Sequence, residues 1–175
     1  MNLESALSHI REVPDFPQPG VLFRDITPLL SNVQAFTTVV DELLKLNPER
    51  PQFAGIEARG FILASAMAIR SSSGFVPIRK SGKLPSAVYS EKYALEYGEA
   101  TLEVHQDAFK QSSDVVIVDD VLATGGTLEA AIKLVQRADG QVLSVVSLIE
   151  ISALGGRQRL LSLFPQLKIH ALVKV

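Results

Sequence analysis

The chain has no cysteine, almost no charge imbalance and no long apolar run, and each absence removes a class of function. Without cysteine there is no disulfide, no thiolate nucleophile and no Cys-ligated zinc, which fits a reducing compartment. The 17 basic and 19 acidic residues give a formal charge of −2, so no overall positive field favours DNA or RNA. We therefore expect a cytoplasmic protein with no nucleic-acid partner.

Membrane insertion and export are also disfavoured by the sequence. The longest mostly apolar stretch, residues 61–69, has nine residues, whereas about 20 are needed to span a bilayer. The first residues include Glu4 and lack the apolar core of a secretory signal. Apolar residues at 47% and charged residues at 21% are typical of a globular protein. We expect one domain over residues 1–175, with no membrane contact.

Hydrophobic periodicity predicts an α/β fold. Apolar residues at helical spacing predict a first helix that ends before Pro14 and a second from Val33 to Leu44 that stops near Asn47. Beyond the second helix, strand and helix patterns alternate: strands at 52–56, 75–79, 115–119 and 142–149, and helices at 61–70 and 127–138. This alternation indicates a mostly parallel central sheet flanked by helices on both faces. Residues 1–32 are expected to form a small N-terminal hood.

One segment departs from this alternation. Residues 88–93 and 100–105, joined by 95–98, have the pattern of a β-hairpin projecting from the sheet. Glycine, proline and serine interrupt the residues before it, which also hold three cations: Arg79, Lys80 and Lys83. A solvated charged loop would explain these cations equally well. We expect residues 80–105 to form a flexible lid.

The strongest candidate site is the segment VVIVDDVLATGGT, residues 115–127. Its β-branched residues predict a buried strand, and ligands of open α/β sheets bind at the carboxyl ends of strands. Asp119 and Asp120 follow, and two adjacent carboxylates need hydroxyl donors, a metal or a cation. The glycines and threonines of residues 123–127 then open a helix, whose N-terminus favours phosphate. The simpler alternative is a tight turn with Thr127 as an ordinary cap.

An apolar strand, two acids and a Thr-Gly-Gly-Thr loop resemble the signature of the phosphoribosyltransferase family. The resemblance implies phosphoribosyl diphosphate as the donor, with Mg²⁺ as cofactor, held mainly by the donor and water and without a direct protein ligand. It also implies that Asp119 and Asp120 hold the ribose hydroxyls. The residues implied to wrap the 5-phosphate are Ala123, Thr124, Gly125, Gly126 and Thr127.

Further segments resemble the members of that family that use adenine: PDFPQPGVLFRDITPLL, GIEARGF, VPIRKSGKLP and EKYALEYGEATLEVH. The resemblance implies AMP and diphosphate as products and a homodimer as the assembly. It assigns adenine binding to Leu22, Phe23 and Arg24, although VLF also suits a core strand and Arg24 with Asp25 a surface ion pair. It assigns diphosphate binding to Glu57, Ala58, Arg59, Arg79, Lys80 and Lys83. Catalytic roles fall to Glu96, as the group that exchanges a proton with the base, and to Arg59.

Two alternatives stay open from the sequence. The same chemistry on hypoxanthine, guanine or xanthine would use an unchanged donor site, but a 6-oxopurine favours a side-chain donor that VLFRD supplies poorly. A regulator that senses phosphoribosyl diphosphate and binds nucleic acid would need an added basic module.

Where the family more often has Phe-Gly, this chain has Leu63 and Ala64, and the bulkier Ala64 is expected to shift its helix against the sheet.

Overall fold

The computed structural model of the protein describes residues 1–46, 51–94 and 98–175. Two compact units are present, Met1–Lys45 and Leu46–Val175. Within the described ranges, no helix is long and apolar enough to cross a membrane. The single domain predicted over residues 1–175 stays a prediction.

The first unit is mainly helical, with a two-stranded antiparallel sheet. The first predicted helix ends early, at Leu7, because residues 11–13 pair as a strand with residues 23–25. The second helix is confirmed up to Lys45, and its predicted end near Asn47 lies outside the described residues. The elements are α1 (Leu3–Leu7), β1 (Arg11–Val13), β2 (Phe23–Asp25), α2 (Thr27–Ser31) and α3 (Val33–Lys45).

The second unit contains a seven-stranded sheet with the order β5-β6-β4-β3-β7-β8-β9. The strands from β4 through β3, β7 and β8 to β9 are parallel to one another, which confirms the predicted mostly parallel sheet. The strands are β3 (Gln52–Ile56), β4 (Phe75–Lys80), β5 (Val88–Ala94), β6 (Glu99–His105), β7 (Ser113–Leu122), β8 (Gly140–Glu150) and β9 (Lys168–Lys174). The helices are α4 (Arg59–Ser71), α5 (Gly126–Arg137) and α6 (Gly156–Leu163), with a 3₁₀ turn at Ser152–Leu154.

Strand β7 lies inside the sheet between β3 and β8, and its residues 115–118 are buried on both faces. Val115 and Ile117 belong to the same core cluster as the apolar side of α5. Val116 and Val118 alternate with them and are also buried, so they face the opposite side of the sheet. Residues 115–118 are covered on both faces, which is why this part of the strand is a continuous apolar run.

The predicted hairpin is confirmed as β5 paired with β6, in antiparallel register from Val88 opposite His105 to Ala94 opposite Glu99. Strand β6 also pairs with β4, so the hairpin continues the sheet at its edge. Leu102 and Val104 are buried in the core. The flexibility predicted for residues 80–105 stays a prediction.

Candidate active site

The candidate site lies where three neighbouring parallel strands end. Strands β4, β3 and β7 are adjacent and run in the same direction, so their carboxyl ends meet at one edge of the sheet. A helix follows each of two strands at this edge, α4 after β3 and α5 after β7. The fold thus brings together three segments that are far apart in the sequence: residues 57–60, 79–83 and 119–127.

We call residues 123–127 the phosphate loop. Helix α5 begins at Gly126, and its N-cap residue is Gly125, whose φ of +84° is natural for glycine but strained for other residues. Within the part of the chain that the structure describes, no side chain caps this helix, and Thr127 lies inside its first turn. The alternative of a capping threonine is therefore wrong. The first N–H groups of α5 are therefore available to an anion.

The phosphate loop packs against the start of α6 through glycine. A Cβ on Gly156 would lie 2.2 Å from the carbonyl oxygen of Ala123 and 2.9 Å from the amide nitrogen of Gly125. Helix α6 is itself fixed by Arg157, whose Nε donates to Glu150 at 2.8 Å and whose Nη1 donates to the carbonyl of Ile169 at 2.9 Å. The backbone of the loop thus lies against a second backbone that is anchored in the sheet.

Asp119 and Asp120 form a partly desolvated acidic pair on β7. Asp120 is buried, at 5% exposure, and its amide N–H donates to Oδ1 of Asp119 at 2.9 Å. Burial, followed by the negative charge of Asp120, raises the pKa of Asp119 well above its ordinary value of 3.8. Burial also raises the pKa of Asp120, and the charge of Arg59 opposes this shift. A ligand that donates hydroxyl hydrogen bonds would satisfy both carboxylates.

The start of α4 lies directly beside this acidic pair. A Cβ on Gly60 would be 2.6 Å from the carbonyl oxygen of Val118, so only glycine allows α4 to approach β7 this closely. The Nε atom of Arg59 lies 2.9 Å from Oδ2 of Asp120, as an ion pair without an aligned hydrogen bond. Ala58 precedes α4 without a side-chain cap, and the Glu57–Ala58 peptide is cis. The predicted diphosphate-binding arginine thus contacts a predicted ribose-binding carboxylate.

Residues 79–83, which we call the cation turn, comprise the last two residues of β4 and the turn after it. Arg79 donates to Glu57 through Nε at 3.2 Å and Nη2 at 3.3 Å, and the amide N–H of Lys80 donates to the same carboxylate at 3.0 Å. The Nη1 atom of Arg79 donates to the carbonyl of Lys83 at 3.0 Å. Lys80 and Lys83 are exposed, and neither ammonium group forms an ion pair within the described part of the chain. Glu57 therefore holds the turn to the end of β3.

A second carboxylate, that of Glu103 on β6, accepts hydrogen bonds from the same turn. It accepts from Oγ of Ser81 at 2.6 Å and from the amide N–H of Gly82 at 2.9 Å. Ser90 on β5 adds a longer bond of 3.4 Å. The side chain is buried, at 7% exposure, and the Ser81 hydroxyl is the main cause that keeps the pKa of Glu103 below its usual value.

The hairpin lies against the first and last turns of α5. A Cβ on Gly126 would lie 3.3 Å from the carbonyl oxygen of Ala94, at the end of β5. At the other end of α5, Arg137 donates to the carbonyl of Ser90 at 2.8 Å and stacks on the ring of Tyr89, 5.0 Å from its centroid. The predicted catalytic Glu96 lies outside the described residues.

In the first unit, the proposed adenine-binding residues lie on and next to β2. Leu22 is 42% exposed, and Phe23 makes an edge-to-face contact with Phe16 at 5.1 Å between ring centroids. Arg24 pairs with Glu12 at 3.4 Å, and Asp25 pairs with Arg11 across the two strands. An ion pair between Arg24 and Asp25 is therefore wrong, because each has a partner on β1. A hydrogen bond from Thr27 and the pair with Arg11 lower the pKa of Asp25 to about 2.

Comparison with known proteins agrees with this geometry. A sequence model of the phosphoribosyl transferase domain matches residues 29–161. The chain belongs to the phosphoribosyltransferase family. It is 52% identical to an adenine phosphoribosyltransferase from Salinispora tropica over 98% of this chain and 90% of that protein.

Solved phosphoribosyltransferases share the whole fold. The adenine phosphoribosyltransferase of Thermoanaerobacter pseudethanolicus is 44% identical with a TM-score of 0.93, over 99% of this chain and 100% of that one. The enzyme of Saccharomyces cerevisiae, solved with adenine and an imino-altritol bisphosphate, is 32% identical with a TM-score of 0.89, over 97% of both chains.

Sequence reasoning missed three residues that shape this phosphoribosyltransferase site: Glu103, Gly156 and Arg157. Glu103 lies in an alternating strand pattern, where a charged residue reads as solvent-facing. Gly156 belongs to a helix with only Gly156 and Leu160 buried, so the apolar period that identifies a helix was too weak.

As for the departure at Ala64, its side chain is fully buried, and a Cβ on Gly55 would lie 2.9 Å from that of Ala64. A glycine on β3 thus faces the extra methyl group.

Proposed function

We propose that the protein transfers the 5-phosphoribosyl group of phosphoribosyl diphosphate to adenine, giving AMP and diphosphate in purine salvage. The observation that carries this proposal is that two helix N-termini, without a side-chain cap among the described residues, lie with a partly desolvated acidic pair at one edge of the sheet. Such helix ends favour two separate anionic groups. Carboxylates between them favour a polyhydroxylated linker, and a ribose with phosphates at both ends has this pattern.

Each part of the donor has its own set of residues in this proposal. The phosphate loop binds the 5-phosphate through backbone N–H groups and the hydroxyls of Thr124 and Thr127. Asp119 and Asp120 accept hydrogen bonds from the ribose hydroxyls, which would replace the water that these partly desolvated carboxylates have lost. The diphosphate is bound by the 57–60 loop with Arg59 and by the cation turn with Lys80 and Lys83. Exposed ammonium groups of that turn support this last assignment.

Adenine as the acceptor is supported by the relatives and by the apolar character of Leu22 and Phe23. The yeast relative was solved with adenine. The guanidinium of Arg24 is paired with Glu12, so the segment offers apolar surface and backbone groups to a base, which suits a neutral purine edge. A 6-oxopurine would favour a side-chain donor at the same place.

The reaction breaks the bond from the ribose anomeric carbon to the diphosphate oxygen and forms a bond from that carbon to a purine ring nitrogen. Negative charge develops on the leaving diphosphate, where Arg59 and the α4 N-terminus stabilise it. The ring nitrogen loses its proton, which we assign to Glu96 as the accepting base. This role of Glu96 rests on the family resemblance of the segment that contains it.

Mg²⁺ fits this site as an ion carried by the donor. The carboxylates of Asp119 and Asp120 would hold the hydrated ion indirectly, through its water shell or through the ribose hydroxyls. When bound, the ion neutralises the charge of the diphosphate.

A homodimer is supported by apolar surface on α4 and β4. Ile69 is 83% exposed, and Ile62, two helical turns before it, is 39% exposed. Phe75 at the start of β4 is 36% exposed. Light scattering of the protein and of the Ile69→Glu variant tests this assembly, because a charge at the contact should shift the mass towards a monomer. The cytoplasmic location stays a prediction.

A base competition assay tests the proposed function. Adenine, hypoxanthine, guanine and xanthine are each supplied with phosphoribosyl diphosphate and Mg²⁺, and nucleotide formation is measured. We expect adenine to be used at least about 100-fold more efficiently than any 6-oxopurine, the scale of discrimination that a mismatched buried polar group produces. Equal or better use of hypoxanthine would refute adenine as the acceptor. Loss of turnover with every base would refute the transferase itself.

A further inference from the structure

Glu103 is a buried negative charge beside a turn that the proposed function assigns to binding diphosphate. A carboxylate at such a place weakens anion binding by repulsion and costs desolvation energy. Its two strongest bonds go to Ser81 and Gly82, the two residues between Lys80 and Lys83. Its contacts are thus directed at the backbone and hydroxyl that set the spacing of the two lysines.

The turn itself needs such a partner. Gly82 has a φ of +76°, and a Cβ there would meet nothing within 4 Å, so the glycine is required by backbone conformation and not by close packing. Ser81, Gly82 and Lys83 are exposed. No apolar burial of these three residues holds the turn, and its shape therefore depends on hydrogen bonds.

The carboxylates of Glu57 and Glu103 bind different halves of the turn. Glu57 binds Arg79 and the amide of Lys80, which fixes the first half to the end of β3. Glu103 binds Ser81 and Gly82, which fixes the second half to β6. Because β6 is paired with β4 at Arg79 opposite Glu103, the second anchor has a rigid base in the sheet.

We propose that Glu103 is a positioning residue for the diphosphate group, which fixes Ser81 and Gly82 so that Lys80 and Lys83 are held ready for the ligand. This inference rests on the proposed function. Glu103 does not touch the substrate, and its effect is transmitted through the turn. It follows that the residue affects donor and diphosphate binding and leaves AMP binding, which uses the phosphate loop and the base site, unchanged.

The test compares Glu103→Met with the unmodified protein. Methionine preserves the volume of the side chain and removes both acceptor oxygens. We expect the KM for phosphoribosyl diphosphate to rise about 10-fold, the scale of a small misplacement of binding groups. The KM for adenine and the kcat at saturating donor should stay within about 3-fold of the parent values, because the base site and reacting groups are untouched.

Direct binding separates a positioning role from a merely structural one. Calorimetric titration with magnesium diphosphate alone should show about 10-fold weaker binding to Glu103→Met, whereas AMP binding stays unchanged. Equal weakening of both ligands would overturn the proposal, and so would unchanged diphosphate binding. Failure of the parent protein to bind AMP or to turn over adenine would instead refute the proposed function.

Three further variants complete the test. Asp107→Asn removes one negative charge from an exposed position in the turn after β6 and should leave both ligands unaffected. Glu103→Gln keeps one acceptor and should fall between the parent and Glu103→Met. If Glu103→Met does not fold, Ser81→Ala replaces it, because it deletes only the 2.6 Å bond and should weaken diphosphate about 3-fold without affecting AMP. Unchanged diphosphate binding by Ser81→Ala would then overturn the proposal.

Discussion

The phosphate loop and the cation turn both serve as anion sites in our proposal, yet different forces shape them. The phosphate loop lies against α6 through Gly125 and Gly156, where a side-chain atom would collide with backbone. In the cation turn, the carboxylates of Glu57 and Glu103 hold backbone N–H groups, a hydroxyl and a guanidinium. One site is thus shaped by close packing of backbone, and the other by charged hydrogen bonds.

This difference predicts different sensitivities. A loop shaped by packing should respond to the volume of a side chain and little to charge, because its contacts are steric. A turn shaped by carboxylates should respond to the loss of an acceptor and little to volume, because its surroundings are open. Asp119 and Asp120 lie next to the packed phosphate loop but are charged, so here a change of charge should matter. We expect the largest effect on activity at this pair.

Asp119→Asn should have the largest effect on activity. We expect kcat/KM for the donor to fall by at least roughly 100-fold, because a site built to bind hydroxyl groups loses an acceptor. The same variant should unfold at a higher temperature near pH 7. The pKa of Asp119 is raised in the folded protein, so stability is lost as pH rises from the unfolded value of 3.8 through the folded one.

Thermal unfolding at several pH values checks this sign. The gain in melting temperature of Asp119→Asn should shrink as pH falls through 3.8, because below that pH the parent carboxyl is protonated in both the folded and the unfolded state. Asp114→Asn is the control, because Asp114 is exposed at the amino end of the same strand. Lower stability of Asp119→Asn at neutral pH would contradict the desolvated carboxylate.

Gly156→Ala should have an intermediate effect, on ligand binding, and it tests whether the phosphate loop is shaped by packing. The new methyl group would collide with the carbonyl of Ala123 and displace the phosphate loop, so we expect both donor and AMP to bind about 10- to 100-fold more weakly. Weakening of AMP distinguishes this variant from Glu103→Met. Calorimetric titration with AMP is the deciding measurement.

Gly140→Ala is the matched control for Gly156→Ala. Its Cβ would lie 2.7 Å from a methyl group of Val135, at the amino end of β8 and away from the site. Both variants should lose roughly 1–3 kcal/mol of stability through overpacking, but only Gly156→Ala should affect ligand binding. Equal loss of AMP affinity in the two variants would mean that general destabilisation is the cause.

Arg137→Ala should have the smallest effect on activity. It removes the hydrogen bond to Ser90 and the contact with Tyr89, which attach β5 to α5 far from the phosphate loop. Hydrogen–deuterium exchange of residues 88–94 should become faster, because the hairpin loses an anchor. The kcat/KM values should stay within about 2-fold, as is usual for exposed interactions. Unchanged exchange would show that the hairpin does not depend on this anchor.

Much of the fold could be predicted because buried parallel strands have a distinctive sequence. The run before Asp119 is apolar at every position, and the helices beside it show a clear apolar period. The phosphate loop was predicted in the same way, because glycines and threonines between a buried strand and a helix are typical of a phosphate-binding turn. Helix α6 was missed because it buries little, and β9 because it follows that helix at the edge of the sheet.

From the residues alone, without the family resemblance, the candidate site was predictable only where its chemistry is local. Asp119 and the phosphate loop are adjacent in sequence, so their association needs no knowledge of the fold. Glu103 is 21 residues from the Gly82 amide that it binds, and only the pairing of β6 with β4 brings them together. Gly156 likewise depends on a close approach between two loops. Contacts that arise from tertiary structure leave no periodic signal in the chain.

The seven-stranded sheet ends at β5 on one side and β9 on the other, and both outer strands carry charge. Glu91 and Lys92 lie in β5, and Lys168 and Lys174 lie at the ends of β9. Charged side chains on an outer strand disfavour the addition of a further strand from another molecule. Chains that meet in a crowded cell are therefore discouraged from joining edge to edge into a continuous sheet, which protects the protein against aggregation.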